Sequence, residues 1–533
     1  MSMSFPAAGP YASRRSAVLA DNLVTTSQPL AAQAGLEMLH RGGNAVDAAL
    51  ATAITLTLVE PTGCGLGSDA FAILWDGDAL HGLNASGRSP LAWDEARFAD
   101  RTSMPERGWE PVTVPGVVSA WVALSERFGR LPFETLFEPA VRLCERGFAV
   151  SPIIATQWAI GGALLAEQPG FGAHFLPGGR APVAGERFVN ADLGATLRTI
   201  AETRGEAFYR GALAERIAAA AAEHGAALSM ADLAAHESDW CGTISRRFDD
   251  VALHEIPPNG QGIAALMALG ILEHTPVRDF APEDPRGMHL CWEAMKLAFR
   301  DTDAHVADGA HMRAVTAGAL LDDDYLATRA KLIDPARAQD FGSGAPRRGG
   351  TVYLAAADAE GMMVSFIQSN YMGFGSGAVV PGTGIHLQNR GAGFTLEPGH
   401  PNAPGPGKRP FHTIIPGFLM RGDDPLMAFG VMGGPMQAQG HLMMTLRTQV
   451  YGQDVQTAVD APRWRVTEGL GVACESTMPE DALDALAGLG HRISIEAPDA
   501  AFGFGGAQLV HRLDGGGYAG GSDPRKDGGA AGF

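Results

Sequence analysis

The feature that most constrains this chain is an abrupt change of character at Thr351. Residues 331–350 are rich in Pro, Gly, Arg and Asp and read as an exposed linker. From Val352 the pattern switches at once to an apolar strand, Val352–Ala357. A turn at Asp358-Ala359-Glu360-Gly361 and a second strand, Met362–Gln368, follow as a hairpin. Helical periodicity dominates before the linker; antiparallel hairpins backed by helices dominate after it. Sheets sandwiched between helix layers, an α+β arrangement, accommodate both. A threonine at such a junction has one chemical option that others lack. If the Gly350–Thr351 bond is cut, its α-amine becomes a base and its hydroxyl a nucleophile. Taken alone, the junction leaves an ordinary strand-start threonine as the other reading.

The 533 residues would allow roughly two to four ordinary domains with a large buried core. A formal charge of −19 argues against nucleic acid and anionic membranes as main partners. It also means that an anionic substrate needs a local basic pocket. The five cysteines, Cys64, Cys144, Cys241, Cys291 and Cys474, have no metal-ligand spacing and read as reduced core thiols. At the N-terminus, Met1–Pro6 lacks a basic cap before an apolar run, and Arg14-Arg15 is followed by too short an apolar stretch for a signal core. No run of about 18 apolar residues could span a bilayer. These features predict a soluble, cytoplasmic protein.

Along the first two-thirds, Ser16–Val24 reads as one strand. Thr25-Thr26-Ser27-Gln28-Pro29 reads as a hydroxyl-capped helix start, leading into Leu30–His40 and, after Gly42-Gly43, a second helix Ala45–Val59. Glu60–Asp69 is a tight glycine-rich loop without a phosphate-loop Lys; it reads as a structural turn, with an active-site wall as the alternative. Phe71–Trp75 and Ala79–Leu83 form a hairpin, Leu131–Val150 a helix, and about 190–330 further helices with a strand near Val251–Ile256. Asp301, Asp303 and Asp322–Asp324 read as solvated helix ends, since no calcium-type ligand loop is present. Later strands are expected at Ile414–Met420, Pro425–Val431, Arg463–Val472 and Gln508–His511. Gly433-Gly434 before a helix offers two backbone N–H groups at a positive helix terminus, able to hold an oxyanion, or else an ordinary tight turn. No Gly-x-Ser-x-Gly elbow in strand–helix context and no HExxH helix is found.

Several stretches, in one order, carry a family resemblance. They are Ser27–Ala31, Gly42–Ala49, Val114-Pro115-Gly116, Glu293-Ala294-Met295-Lys296, Thr351 with Asp358, and Phe374–Gly377. They continue with Pro406–Pro410, Met432-Gly433-Gly434, Asp460–Arg463 and Ser522–Arg525. Over nearly its whole length the chain resembles the γ-glutamyltranspeptidase family of N-terminal-nucleophile hydrolases. The resemblance implies an αββα four-layer sandwich made as one precursor. Autocleavage between Gly350 and Thr351 would give a helix-rich large portion, 1–350, ending in the 331–350 linker, and a small portion, 351–533, the two staying together in one fold. It further implies Thr351 as nucleophile with its freed amine as base, Gly433 and Gly434 as the oxyanion hole, and Ser369 as the hydroxyl that supports the nucleophile. No metal or organic cofactor is implied. The oligomeric state stays open, a homo-oligomer among the alternatives.

The γ-glutamyl grip of the transpeptidases is not kept. Their Arg-Glu pair falls on Ser86-Gly87, with the nearest cation, Arg88, displaced by two. Their Asn-Asn-Gln-Met-Asp-Asp falls on Gln388–Gly393, so a glycine replaces the ammonium-binding acid and Arg390 replaces a glutamine. Their Ser-Ser reads His412-Thr413, and an Asn reads Tyr371. A pocket so changed should prefer an anion without an amine, since an unpaired ammonium desolvated beside an arginine costs on the order of several kcal/mol. Arg390, His412, Thr413, Asn370, Tyr371 and Arg88 are therefore the expected substrate-binding residues. Thr351–Leu354, Gln368–Gly375 and His412–Pro416 resemble the oxamate amidohydrolase branch, which acts in purine (allantoin) degradation. The expected reaction is hydrolysis of a small acidic amide, oxamate to oxalate and ammonia. Glutathione hydrolase or γ-glutamyltransferase, and glutaryl-type cephalosporin acylase, are the alternatives.

Overall fold

A computed structural model describes residues 15–342, 350–498 and 503–533. The linker expectation falls partly on 343–349, and the leader reading largely on 1–14, both outside the described residues. Two seven-stranded sheets stack face to face. One runs, edge to edge, through Val18–Ala20, Tyr518–Ser522, Ala507–Arg512, Asp424–Val431, Gly417–Arg421, Val251–Glu255 and Ile244–Phe248. The other runs through Gly529–Gly532, Leu23–Thr26, Gly350–Ala357, Met363–Tyr371, Asp69–Trp75, Leu80–Asn84 and Asp239–Trp240.

Side-chain alternation builds the layers. On Gly350–Ala357, the residues Val352, Leu354 and Ala356 face a core shared with the helices Pro29–His40 and Ala45–Val59. Their neighbours Tyr353, Ala355 and Ala357 face the opposite sheet, against Phe418, Ala428 and Val510. Beyond that second sheet, Met427, Phe429 and Val431 pack on the helices Gly262–Glu273, Pro285–His305 and Met436–Thr445. Helix, sheet, sheet, helix is the αββα sandwich expected. The Ala45–Val59 helix is buried along its whole length, which its small side chains permit. Among the described residues no helix is long and apolar enough to cross a membrane.

Each sheet takes strands from both sides of residue 350. Gly350–Ala357 lies between Leu23–Thr26 and Met363–Tyr371. A cut before Thr351 therefore leaves the two portions hydrogen-bonded through both sheets.

Local readings were corrected where tertiary pairing overrode propensity. Ser16–Val24 is not one strand: the chain bends at Asp21-Asn22, and Val18–Ala20 and Leu23–Thr26 enter different sheets. Thr25 and Thr26 belong to the second of these, so Gln28 caps the following helix instead, its side chain accepting from Leu30 N at 2.6 Å. Leu131–Val150 divides into a 3-10 turn, Phe133–Phe137, a helix, Glu138–Arg146, and a short strand.

Candidate active site

Three neighbouring strand ends meet at Thr351. In the pairing of Gly350–Ala357 with Met363–Tyr371, Val352 faces Gln368 but Gly350 faces Tyr371. Thr351 therefore stands opposite two residues, Ser369 and Asn370, a bulge that bends the strand end and re-aims its side chains. Tyr371 closes the bulge with φ +77°, unusual for an aromatic residue. On the next strand Asp69 pairs directly with Ser369. All three side chains are buried.

The hydroxyls are ordered by their hydrogen bonds. Ser369 Oγ donates to the carbonyl oxygen of Gly350 at 2.7 Å and accepts from Tyr371 N at 2.8 Å. Its single hydrogen is thereby used, so the 3.2 Å contact between Thr351 Oγ1 and Ser369 Oγ is donated by Thr351. The amide of Gln437 reaches the same Thr351 oxygen from the other sheet, Nε2 to Oγ1 at 3.3 Å.

Gly433 and Gly434 form the turn between Asp424–Val431 and the Met436–Thr445 helix, with φ of +114° and +63°. A side chain at Gly433 would meet the Gly505 Cα at 3.0 Å. Neither glycine N–H donates to another described group. Gln261 fixes the turn from behind, its Nε2 donating to Gly434 O at 2.8 Å and to Thr413 O at 2.5 Å.

Arg390 is fully buried beside these groups. Its Nη1 donates to Thr413 Oγ1 at 2.9 Å and its Nη2 reaches Ser369 Oγ at 3.4 Å. The guanidinium carbon lies 4.2 Å from the Tyr371 ring centre. Among the described residues its Nε has no partner, and Asp69 acts on it through space. Burial lowers its pKa to about 10, with Asp69 opposing.

Asp69 accepts from Gly87 N at 3.0 Å and Gly116 N at 3.2 Å. Burial nonetheless raises its carboxyl to about 7, against the pull of Arg390 and those amides. His412 Nε2 lies 3.1 Å from Asp69 Oδ2, while its Nδ1 accepts from Ile414 N at 3.4 Å. That second bond fixes the hydrogen on Nε2, so a neutral imidazole donates to Asp69. Burial, then Arg390 and Arg409, push the His412 pKa well below its ordinary value.

The structure thus brings Thr351, Ser369, Tyr371, Arg390, His412 and Thr413 together. Gly433 and Gly434 are tied to this group through Gln261, and through Gln437, in the first turn of the helix after their own turn. Asn370 is adjacent, its Oδ1 held by Ser68 Oγ at 2.8 Å, with Nδ2 buried and unpartnered. Arg88 stands apart: it is half-exposed, and its Nη1 pairs with Asp308 at 3.2 Å and bonds Gly407 O at 3.2 Å. The glycine-rich loop is a wall of the site, not merely a turn. A Cβ at Gly63 would lie 3.2 Å from the Thr351 carbonyl carbon, and Gly63 O accepts from Asn370 N at 3.0 Å.

Asp69, Gln261 and Gln437 were not anticipated as site residues. For Asp69 a signal existed: it shares strand phase with Phe71 and Ile73, which face the other sheet. Elsewhere His289, Glu293 and His491 come within 4.8 Å of one another, but the Lys296 ammonium already sits on Glu293 at 2.7 Å and supplies the positive charge there.

Comparison with known proteins agrees with this architecture. The family model Gamma-glutamyltranspeptidase matches residues 31–533. The glutathione hydrolase-like YwrD proenzyme of Bacillus subtilis (strain 168) is 35% identical over 97% of this chain and 100% of its own length. The oxamate amidohydrolase proenzyme of Klebsiella pneumoniae is 36% identical over 95% of this chain and 97% of its own. The crystal structure of a cephalosporin acylase from Bacillus halodurans superposes with a TM-score of 0.94 at 45% identity, covering 100% of this chain and 99% of that one.

Proposed function

The chain belongs to the gamma-glutamyltranspeptidase family, whose members are amide hydrolases processed from a precursor, and on that premise we propose that it cuts itself between Gly350 and Thr351 and uses Thr351 as its nucleophile. In the uncut chain, Thr351 Oγ1 attacks the Gly350 carbonyl carbon. Its proton passes to Ser369 Oγ as the Ser369 proton passes to the carbonyl oxygen it already contacts, giving a neutral tetrahedral carbon. The C=O then re-forms as the Gly350–Thr351 C–N bond breaks, the proton of the tetrahedral hydroxyl passes to the Thr351 nitrogen, and water hydrolyses the resulting ester. This leaves a Gly350 carboxylate and a free Thr351 amine.

In turnover that amine takes the hydroxyl proton as Thr351 attacks the substrate amide. The unpartnered Gly433 and Gly434 N–H groups receive the oxyanion. The amine nitrogen of the substrate leaves protonated, and water resolves the acyl-enzyme.

We read the substrate as a small amide bearing a carboxylate, with oxamate as the leading candidate. One observation carries this: a fully buried guanidinium, Arg390, hydrogen-bonded only to hydroxyls and lying within 3.4 Å of the group that contacts the nucleophile. A substrate carboxylate would supply the counter-charge that the site lacks at hydrogen-bonding distance. Gly393, where transpeptidases have an acid, offers no charge to a γ-glutamyl ammonium. An oxamate activity would place the enzyme in purine breakdown.

A cavity of about 680 Å³ favours a second reading, a larger acidic amide of the cephalosporin side-chain kind. Its lining includes Met104, Phe299, Phe394 and Phe411 beside Arg300, Asp303 and Glu397, and Tyr371, whose ring the Arg390 guanidinium covers, also lines it. Parallel kcat/KM measurements on oxamate, a glutaryl amide and a γ-glutamyl anilide decide among these. Ammonia release from oxamate as the fastest reaction is expected; a faster γ-glutamyl anilide would overturn the reading.

A further inference from the structure

Gln437 has no assigned role, yet it is the only side chain besides Ser369 that hydrogen-bonds Thr351 Oγ1 among the described residues. It is fully buried in the first turn of the Met436–Thr445 helix, directly after Gly433-Gly434. Its orientation is determined. Oε1 accepts from Ile415 N at 3.0 Å, so the amide cannot be reversed without leaving that buried N–H unpaired, and Nε2 must be the end that faces Thr351. Its backbone N–H also bonds Gly434 O at 3.1 Å, tying the side chain's root to the glycine turn.

From this geometry we infer that Gln437 is a catalytic residue that donates a hydrogen bond to the nucleophile oxygen; the inference rests on the reading of Thr351 as nucleophile. A threonine hydroxyl has one hydrogen and two lone pairs. The hydrogen is directed at Ser369 in the uncut chain and passes to the freed amine in turnover. Gln437 engages one lone pair, which leaves the other to attack. As the proton departs, negative charge develops on Oγ1 next to a fixed, buried N–H donor. The same donor acts when Oγ1 is expelled from the acyl-enzyme: the Oγ1–acyl bond breaks, and the oxygen recovers its proton from the Thr351 ammonium. No reorganisation is required, because Ile415 and the helix hold the amide in place beforehand.

The test compares the full-length chain with Q437M, Q437E and T351A. Self-cleavage is followed by denaturing gel, and turnover is measured on the cleaved fraction. Q437M is expected to slow both self-cleavage and kcat by about 10- to 100-fold with KM within about twofold, as for loss of one long donor to a developing anion. Q437E keeps the side-chain length but turns the donor into an acceptor once ionised. Its self-cleavage is expected to fall, relative to wild type, as pH rises through the titration of the new carboxyl, a dependence that a packing role would not create. Q437M rates within threefold of wild type overturn the inference. If Q437M does not fold, a Q437E pH profile parallel to wild type overturns it. T351A separates the premise: cleavage at 350–351 in T351A refutes Thr351 as nucleophile, whereas an uncut T351A beside a wild-type-like Q437M refutes only Gln437.

Discussion

Asp69 and Ser369 are direct cross-strand partners, so a carboxyl and the hydroxyl that contacts the nucleophile sit side by side on one face of the sheet. Arg390 borders both. If Arg390 takes the substrate carboxylate as proposed, Asp69 opposes that binding through space, and the protonation of Asp69 sets how strongly. Burial raises it to about 7, so below that pH it is largely neutral and Arg390 is free to take an anion. KM for oxamate is expected to rise as pH increases through about 7, and D69N to hold a nearly constant KM over the same range. The sign for stability follows from the same shift. A carboxyl whose folded pKa lies above 3.8 costs nothing while both states are protonated, and its cost grows from there up to about pH 7. D69N should thus match wild type in melting temperature in acid and exceed it at alkaline pH. A KM independent of pH in the wild type would remove Asp69 from the binding equilibrium.

On the proposed carboxylate-binding role, Arg390 is held for binding at the expense of stability. Among the described residues its Nε is unpartnered and no carboxylate bonds it directly. Arg390→Met keeps the apolar stem and removes the charge, so the melting temperature should stay level or rise. Oxamate kcat/KM should fall by about 2–4 kcal/mol, the cost of breaking one side of a buried charge pair. Unchanged kcat/KM in this variant is incompatible with a carboxylate on Arg390.

Much of this site could be read before the structure because it lies at segment junctions. Thr351 follows the linker, Gly433-Gly434 precedes a helix, and Arg390 stands where the transpeptidase pattern has a glutamine. What escaped reading depends on contacts between distant residues. Asp69 looked like the end of a glycine loop, although the Asp69, Phe71, Ile73 alternation already aimed it at the facing sheet. Gln437 looked like any helical glutamine, because only the Ile415 N–H, 22 positions away, determines which end meets Thr351. The closing strands Tyr518–Ser522 and Gly529–Gly532 contain almost no β-branched residues. Pairing with Ala507–Arg512 and Leu23–Thr26 makes them strands, and no local propensity announces that.

Asp358 joins segments on either side of the proposed cut before Thr351. Its Oδ2 accepts from Ala45 N at 2.8 Å, in the first turn of the buried Ala45–Val59 helix, where the Asn44 side chain already serves Val46 and Asp47. Oδ1 closes its own turn through Glu360 N at 3.0 Å and Met362 N at 3.2 Å. D358A leaves the Ala45 N–H buried and unpaired, which costs about 1–3 kcal/mol. Urea unfolding of the cleaved enzyme should show a lower midpoint with an unchanged slope, and a midpoint equal to wild type would mean that the cap contributes nothing.

On the proposed mechanism Ser369 serves two reactions with different partners, so its removal should divide them. In the uncut chain it donates to the carbonyl oxygen of the bond to be cut, at 2.7 Å, and receives the Thr351 hydroxyl proton at 3.2 Å. On the proposed mechanism, in the cleaved enzyme the Thr351 amine takes over as base, and the glycine N–H pair, not Ser369, meets the oxyanion. S369A therefore loses the polarising donor only in self-cleavage, where one such donor is worth about 100- to 1000-fold. Turnover by the fraction that does cleave loses only the Ser369 contact to the nucleophile and should fall by a smaller factor, on the order of ten. A denaturing-gel time course gives the first rate, and ammonia release normalised to cleaved chain gives the second. Equal factors for the two would mean that Ser369 acts only through the nucleophile and that the Gly350 carbonyl is activated by some other group.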